Sequence, residues 1–326
     1  MNRPHALRRA TVLAALALLA SGFASAQDAP YPSKPITIVV GYPPGGSTDL
    51  TARTVATELG QRLGVPVVIE NIGGAGGAIG AQKVASAAPD GYTLLVGASN
   101  EIAINKLVTK KVKYDIQDFT AIGLIATQPL VLVASTQAGP KTAAEFVQKV
   151  SQNPGKFSYG SSGVGTSLHL AGEMVKQQGR LFMTHIPYRG VAPLTNDLMG
   201  NNIEYGVFVL SSGLPHIKSG KVIALGTTEA KRALQTPDIP ALAESPQFKH
   251  LDIGVWFALM APAHLPKPVQ EKIKKALNET LQSPDFRKKL EASGSTVSAT
   301  HVDIDRFLAA EVAKYQKIVA FAKIEE

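Results

Sequence analysis

Two glycine- and hydroxyl-rich loops carry the groups best suited to holding a small anion. The first is Gly41-Tyr42-Pro43-Pro44-Gly45-Gly46-Ser47-Thr48-Asp49, which follows a short apolar run and precedes a helical pattern. Its glycines let backbone N–H groups approach a ligand, with Pro44, Gly45 and Gly46 shaping the grip. The helix N-terminus behind it favours negative charge by ~0.3–1 kcal/mol, up to ~2 when partly buried. The second runs from Tyr159 to His169 and offers Ser161, Ser162, Gly163, Gly165, Thr166, Ser167 and His169. Hydrogen bonds to a charged group contribute roughly 1.5–3 kcal/mol each. A few of them reach the about 8 kcal/mol that micromolar binding needs. Taken singly, each loop reads equally well as a chain-reversing turn or a plain capped loop. Facing each other, they could hold one carboxylate from both sides.

The same segments complete no enzyme motif. Gly-x-Ser-x-Gly fails because Val164 stands where the second glycine belongs. Gly73-Gly74-Ala75-Gly76-Gly77-Ala78-Ile79-Gly80 departs from G-x-G-x-x-G, since Ile79 occupies the last position. Walker A and His-Glu-x-x-His are absent. His169 near Ser161 and Ser162 opens a nucleophile–base argument, against the commoner role of a helix or loop histidine. Past residue 26 the histidines stand at 169, 185, 216, 250, 264 and 301, without ligand-like spacing, and there is no cysteine. We therefore expect neither metal nor cofactor. Tyr188, in Pro187-Tyr188-Arg189-Gly190, fits a cleft wall or a turn support, and Trp256 fits a cleft or the core.

The elements that must position these loops alternate. Ile36–Val40 reads as strand, Ser47 to Leu63 as helix ending at Gly64, Val65–Ile69 as strand, Ala75–Ala87 as a small-residue helix and Tyr92–Val96 as strand. Thr142-Ala143-Ala144-Glu145 fits a capping box. Phe157–Tyr159, Met183–Pro187, Ile203–Leu210 and Val222–Thr227 read as strands, with helices at Ser167–Gln178, Val191–Met199 and Ser212–Ser219. The order predicts parallel strands with crossover helices. Two long apolar segments, Ala121–Ser135 around Pro129 and Ile253–Ala261, read as strands passing between two lobes. Two amphipathic helices follow, one carrying Val269, Ile273, Ala276 and Leu277, the other Ile304, Phe307, Leu308, Val312, Tyr315 and Val319.

Composition narrows the class. The 326 residues are 45% hydrophobic and 18% charged, enough for real cores and unlike a disordered chain. Residues 1–26 read as a secretory signal: Arg3, Arg8 and Arg9, an apolar run from Thr11 to Ala20, then Ala24-Ser25-Ala26. Removing those three arginines leaves 33 − 3 = 30 Lys+Arg against 25 Asp+Glu, a balance of +5. No later stretch is long enough to span a bilayer, so the mature protein is not membrane-embedded. The basic residues at 106–113 and 272–275 lack interleaved aromatics, which argues against nucleic acid.

Ordered motifs along the mature chain resemble the Bug family of periplasmic solute-binding proteins, receptors of tripartite tricarboxylate transporters. They include Tyr31-Pro32-Ser33-Lys34-Pro35-Ile36, Pro43-Pro44-Gly45-Gly46-Ser47-Thr48-Asp49, Glu70-Asn71 with Gly74-Ala75-Gly76-Gly77, and Ala88-Pro89-Asp90-Gly91-Tyr92-Thr93-Leu94-Leu95. Asn153-Pro154-Gly155-Lys156, Tyr159-Gly160-Ser161, His169-Leu170-Ala171-Gly172-Glu173, Pro187-Tyr188-Arg189-Gly190 and Leu214-Pro215-His216-Ile217-Lys218 continue the series. The resemblance implies a type II periplasmic-binding-protein fold of two doubly wound α/β lobes joined by two crossing hinge strands. Lobe 1 would be 28–127 and 255–326, and lobe 2 would be 128–254. It implies that loops 42–49 and 161–167 pinch a carboxylate, while Ser99, Asn100 and the strand end at Phe208 and Val209 shape the rest of the pocket. Many members carry Asp-Asn where this chain has Val209-Leu210, so the distal part of the ligand is expected to be less polar. A second departure, Ile72-Gly73 in place of Arg-Pro, has no physical account. The implied protein is a periplasmic monomer that presents a small organic carboxylate to membrane transporter subunits. A sensory module signalling to a membrane kinase, and an exported hydrolase using a serine of 161–167, stand as alternatives.

Overall fold

In the computed structural model, which describes residues 30–322 and 324, apolar runs bounded by turn residues become alternating strands and helices. The expected signal, 1–26, lies outside the described residues. Residues 30–33 form neither helix nor strand. From Lys34 the chain runs β1 (Ile36–Val40), α1 (Ser47–Leu63), β2 (Val67–Asn71), α2 (Ala78–Ala85), β3 (Thr93–Ala98), α3 (Asn105–Val108) and β4 (Phe119–Ser135). It continues with α4 (Ala143–Ser151), β5 (Ser158–Ser161), α5 (Ser167–Gly179), β6 (Thr184–Pro187), α6 (Val191–Met199), β7 (Tyr205–Val209), α7 (Leu210–Lys218) and β8 (Val222–Thr227). Then come β9 (Gly254–Pro262), α8 (Lys267–Gln282), α9 (Pro284–Ala292), β10 (Thr296–Val297) and α10 (Ile304–Ala322).

Local chemistry accounts for most boundaries. α1 buries Ala52, Val55, Ala56, Leu59 and Leu63 along one stripe and stops at Gly64, whose left-handed backbone (φ 72°) returns its N–H to Gly60 O. Pro66 has no N–H to pair, so β2 starts at Val67, two residues later than expected. Ala75–Gly77 forms a separate turn with positive φ at all three residues, and the small-residue helix begins only at Ala78. Thr142 caps α4 by accepting from Glu145 N–H (3.2 Å). The Glu145 carboxylate takes Lys141 N–H instead (2.8 Å), so the box is displaced by one residue.

The strand order is β2-β1-β3-β9-β4-β7-β5-β6, with β8 and β10 also pairing with β4. β2-β1-β3 and β7-β5-β6 are parallel groups, as the alternation predicts. Between them β9 and β4 run antiparallel, which the alternation did not predict. β4 pairs with β9 over Phe119–Pro129 and with β7 over Leu130–Ala134, so one 17-residue strand serves two sheets in succession. The change falls at Pro129, which cannot donate to a neighbouring strand. Thr228 N–H reaches Leu130 O (2.9 Å) and Ile253 N–H reaches Thr228 O (3.0 Å), so the chain also enters β9 from the second sheet. Two α/β units joined by crossing strands are the fold that the resemblance implies.

Each unit has its own core. Ile36, Ile38, Val55, Leu59 and Leu94 are fully buried in the first. Val131, Val133, Leu194, Leu198, Phe208 and Leu214 cluster in the second. α8 and α10 bury the expected faces, although Val269, Phe307 and Val312 are only half-buried. α9 and β10 were not anticipated; Ser283 caps α9, and β10 pairs with Thr127 and Ala126. Among the described residues no helix is long and apolar enough to cross a membrane.

The glycine-rich segment after β2 owes its composition to backbone contact. A Cβ on Gly41 would stand 2.7 Å from Gly77 O, and one on Gly80 would stand 2.8 Å from Gly41 Cα and 3.0 Å from Ile72 O. Backbone cannot rotate away as a side chain can. Gly80→Ala should therefore destabilise the protein by about 1–3 kcal/mol, a drop of ~2–4 °C in Tm per kcal/mol. A thermal melt of the variant matching the parent would show that the two segments part freely.

Candidate functional site

The turn after β1 and the first turn of α1 form one wall of a cavity of about 40 Å³. Tyr42, Pro44, Gly46, Ser47 and Thr48 line it, joined by Asn100, Ser162 and Val209. Arg189, Gly190 and the start of α6 close it from the second sheet, and Ala98, Leu168, Val255 and Phe257 supply apolar surface. No side chain caps α1, whose N-cap is Gly46, or α6, whose N-cap is Gly190 at φ 109°. Two such helix starts converging on one cavity favour an anion there. Arg189 lines this cavity and also a wider adjoining groove of about 1180 Å³, where Lys111 and Lys113 stand too. None of the lining residues is acidic. Among the described residues these three cations form no ion pair.

The remaining anticipated residues brace the site from behind. Asp49 accepts from Gly45 N–H (2.9 Å), Arg53 Nε (3.0 Å) and Asn71 Nδ2 (2.9 Å). Burial pushes its carboxyl up, but those hydrogen bonds prevail and leave it below the usual range. In the second loop Thr166 caps α5 by accepting from His169 N–H (3.4 Å), and Ser167 N–H donates to Asn100 Oδ1 (2.7 Å). Gly165 N–H donates to His169 Nδ1 (3.1 Å). Ser161 is fully buried, with its hydroxyl 3.0 Å from Gly163 O in its own loop and 2.7 Å from His185 Nε2 of β6. Gly163 lines the groove alone, as does Tyr188, whose hydroxyl donates to Asp197 Oδ2 (2.7 Å). Phe208 belongs to the second core, Ser99 is buried beside Tyr315, and Trp256 is buried with its Nε1 donating to Glu311 Oε2 (3.0 Å).

A buried acid holds the first loop. Glu101 is 1% exposed, accepts from Ala98 N–H at Oε1 (2.8 Å) and lies 3.3 Å from the Tyr42 hydroxyl at Oε2. That hydroxyl also donates to Gly76 O (2.8 Å) and accepts from Asn100 Nδ2 (2.8 Å). A phenol has one proton, and the shorter bond takes it; a neutral Glu101 supplies the proton for the other. Burial agrees, pushing the Glu101 carboxyl up to about 8 and the Tyr42 hydroxyl well above its ordinary range.

Sequence reasoning missed Arg189, the first turn of α6, and Glu101. The motif Pro187-Tyr188-Arg189-Gly190 was in view for its tyrosine. The cation beside a glycine that opens a helix was the stronger signal. For Glu101 there was no signal, because burial of an acid after a polar pair leaves no local pattern.

Comparison with known proteins follows the same lines. A family model described as tripartite tricarboxylate transporter family receptor, TctC, matches residues 51–323. A UPF0065 protein of Bordetella pertussis is 35% identical, covering 94% of each chain. The structure of periplasmic binding protein BugD superposes with a TM-score of 0.86 at 33% identity, over 90% of this chain and 99% of that one. A structure from R. palustris with adipate superposes with a TM-score of 0.87 at 30% identity, over 90% and 99%.

Glu101 also gives a pH dependence of defined sign. Its folded-state carboxyl titrates above the unfolded value of 4.5, so its contribution is full below that pH and is lost as pH rises through about 8. A shift of that size corresponds to a penalty of up to roughly 5 kcal/mol on the alkaline side. Urea unfolding across this range should show the parent losing more stability with rising pH than Glu101→Gln, which keeps only the contributions of other titrating groups such as Glu229. Parallel slopes for the two proteins would mean that Glu101 is ionised in the fold.

Proposed function

Because this chain belongs to the tripartite tricarboxylate transporter receptor family, we propose that it captures a small organic carboxylate between two lobes for a membrane transporter. The observation that carries this reading is the convergence of the α1 and α6 starts and Arg189 on one acid-free cavity. Backbone N–H groups of Gly46, Ser47 and Thr48, with the Ser162 hydroxyl, take the carboxylate. Arg189 holds a second anionic group or the same one from the groove side. The body of the ligand lies against Leu168, Val209, Val255 and Phe257, which favours an aliphatic or aromatic chain over a polar one. Adipate, present in the R. palustris structure, has such a body.

In this reading lobe 1 spans 28–127 and 255–326, and lobe 2 spans 128–254. Residues around Pro129 and Gly254 form the hinge, and the affinity depends on closure as well as on contacts. The protein leaves the cytoplasm through the signal at 1–26, works in the periplasm as a monomer, and catalyses no reaction. Its site needs oriented donors, not an acid–base pair.

The test is thermal stability of the mature protein against mono-, di- and tricarboxylates, aliphatic and aromatic. A ligand at 100 times its Kd should stabilise by ~2.7 kcal/mol, which is several degrees at ~2–4 °C per kcal/mol. A folded, ligand-free sample that shifts with none of them would overturn the reading. For a carboxylate that binds, Arg189→Gln should slow association several-fold at low salt and flatten its salt dependence, because the acid-free groove steers anions. Stopped-flow rates at two ionic strengths read this out; an unchanged salt slope would remove Arg189 from the entrance.

A further inference from the structure

Beneath the second loop two imidazoles lie face to face. His169 of α5 and His185 of β6 stack with ring centroids 3.8 Å apart and planes at 10°. The Tyr159 ring stacks on His185 at 4.9 Å. Each imidazole touches the loop through one nitrogen. Ser161 Oγ lies 2.7 Å from His185 Nε2 and 3.0 Å from Gly163 O, which also accepts from the Thr166 hydroxyl (2.8 Å). Gly165 N–H donates to His169 Nδ1 (3.1 Å), which must therefore be bare. The geometry assigns the Nε2–H tautomer to His169, whose bare Nδ1 is the acceptor presented to the loop. Neither ring lines the cavity; Ser162, between their two anchor points, does.

We propose that His169 and His185 are positioning residues that hold residues 161–166 in the form that turns Ser162 to the ligand, and that a proton on His169 releases the loop. The ligand clause rests on the receptor reading above; the loop clause does not. Protonated Nδ1 would meet Gly165 N–H donor to donor, and a cation would form in stacking contact with its neighbour. The groups facing the pair are Tyr159, Glu173 and Lys176. Glu173 Oε1 is 3.9 Å from His169 Nε2 and is held by the Tyr159 hydroxyl (2.7 Å) and Lys176 Nζ (2.8 Å). Burial pushes His169 down to about 4, against the pull of Glu173. Burial, then the neighbouring His169 and Lys176, pushes His185 down to about 3. Both folded values lie below the ordinary 6.5, so the contribution is full above that pH and is lost as pH falls through about 4 and then 3.

The test uses ligand-free mature protein labelled with 15N-histidine, together with amide exchange at Gly163 and Gly165. His169 should show the Nε2–H tautomer, both rings should stay neutral down to about pH 5, and Gly165 exchange should accelerate as His169 titrates. His169→Phe keeps a ring for stacking but deletes the acceptor, and Gly165 exchange should rise tenfold or more. His169→Asn, which puts an acceptor oxygen near the Nδ1 position, should restore protection and abolish its acid dependence. His185→Phe, which deletes the nitrogen in contact with Ser161, should free Gly163 by a similar factor. A bare Nε2 on His169, titration of either ring near 6.5, or unchanged exchange in both Phe variants would overturn the proposal. The spectra need no ligand, so a blank carboxylate panel would sink the receptor reading and leave this result standing.

Discussion

The amide of Asn100 joins the two halves of the molecule at the point where they meet over the cavity. Its Nδ2 donates to the Tyr42 hydroxyl (2.8 Å) in the loop after β1, and its Oδ1 accepts from Ser167 N–H (2.7 Å) at the start of α5. Both partners depend on further buried groups: Tyr42 on Glu101 and Gly76, Ser167 on the loop that the two histidines hold. Replacing one end leaves a buried polar group unpaired, which costs more than the bond itself contributes. The cavity is therefore the visible face of a continuous hydrogen-bond chain that runs from one sheet to the other. Its lining residues are few because most of the polar groups nearby are already committed to each other.

That commitment separates residues that line the cavity from residues that shape it from behind. Asp49, Gly45, Ser161, Gly165, Thr166 and Ser167 stand in loops with the composition of an anion grip, yet their donors and acceptors are turned inward. What faces the cavity is the pair of helix starts without side-chain caps, an arginine, and an apolar wall. Charge follows the same division: the exposed cations of the groove are unpaired among the described residues, whereas burial raises the carboxyl of the acid behind the loop to about 8.

The strand and helix pattern was legible because it is local. The stripe from Ala52 to Leu63, the stop at Gly64 and the uninterrupted Ile36–Val40 each follow from neighbours within a few residues. Errors arose where a distant partner decides. Nothing near Gly254–Pro262 says that it lies antiparallel between β3 and β4, because both partners are far away in the chain. α9 was missed because its nine residues are mostly charged and bury only Phe286 and Leu290. At the site, the loops were found from their glycines and hydroxyls, and Arg189 and Glu101 were not. The state of a lone ionisable side chain depends on what the fold places opposite it.

The shared strand has a consequence for how the chain reaches this structure. β4 is complete at Ser135, but its partners in the first sheet, β9 and β10, arrive only with Gly254–Pro262 and Thr296–Val297. A nascent chain can assemble β5, β6, β7 and β8 around the second half of β4 while the first half still lacks its antiparallel neighbours. Contacts of such separation close slowly, and an unpaired strand edge is open to wrong partners while it waits. In order of synthesis the second sheet is thus complete first, and the first sheet waits for β9 and β10.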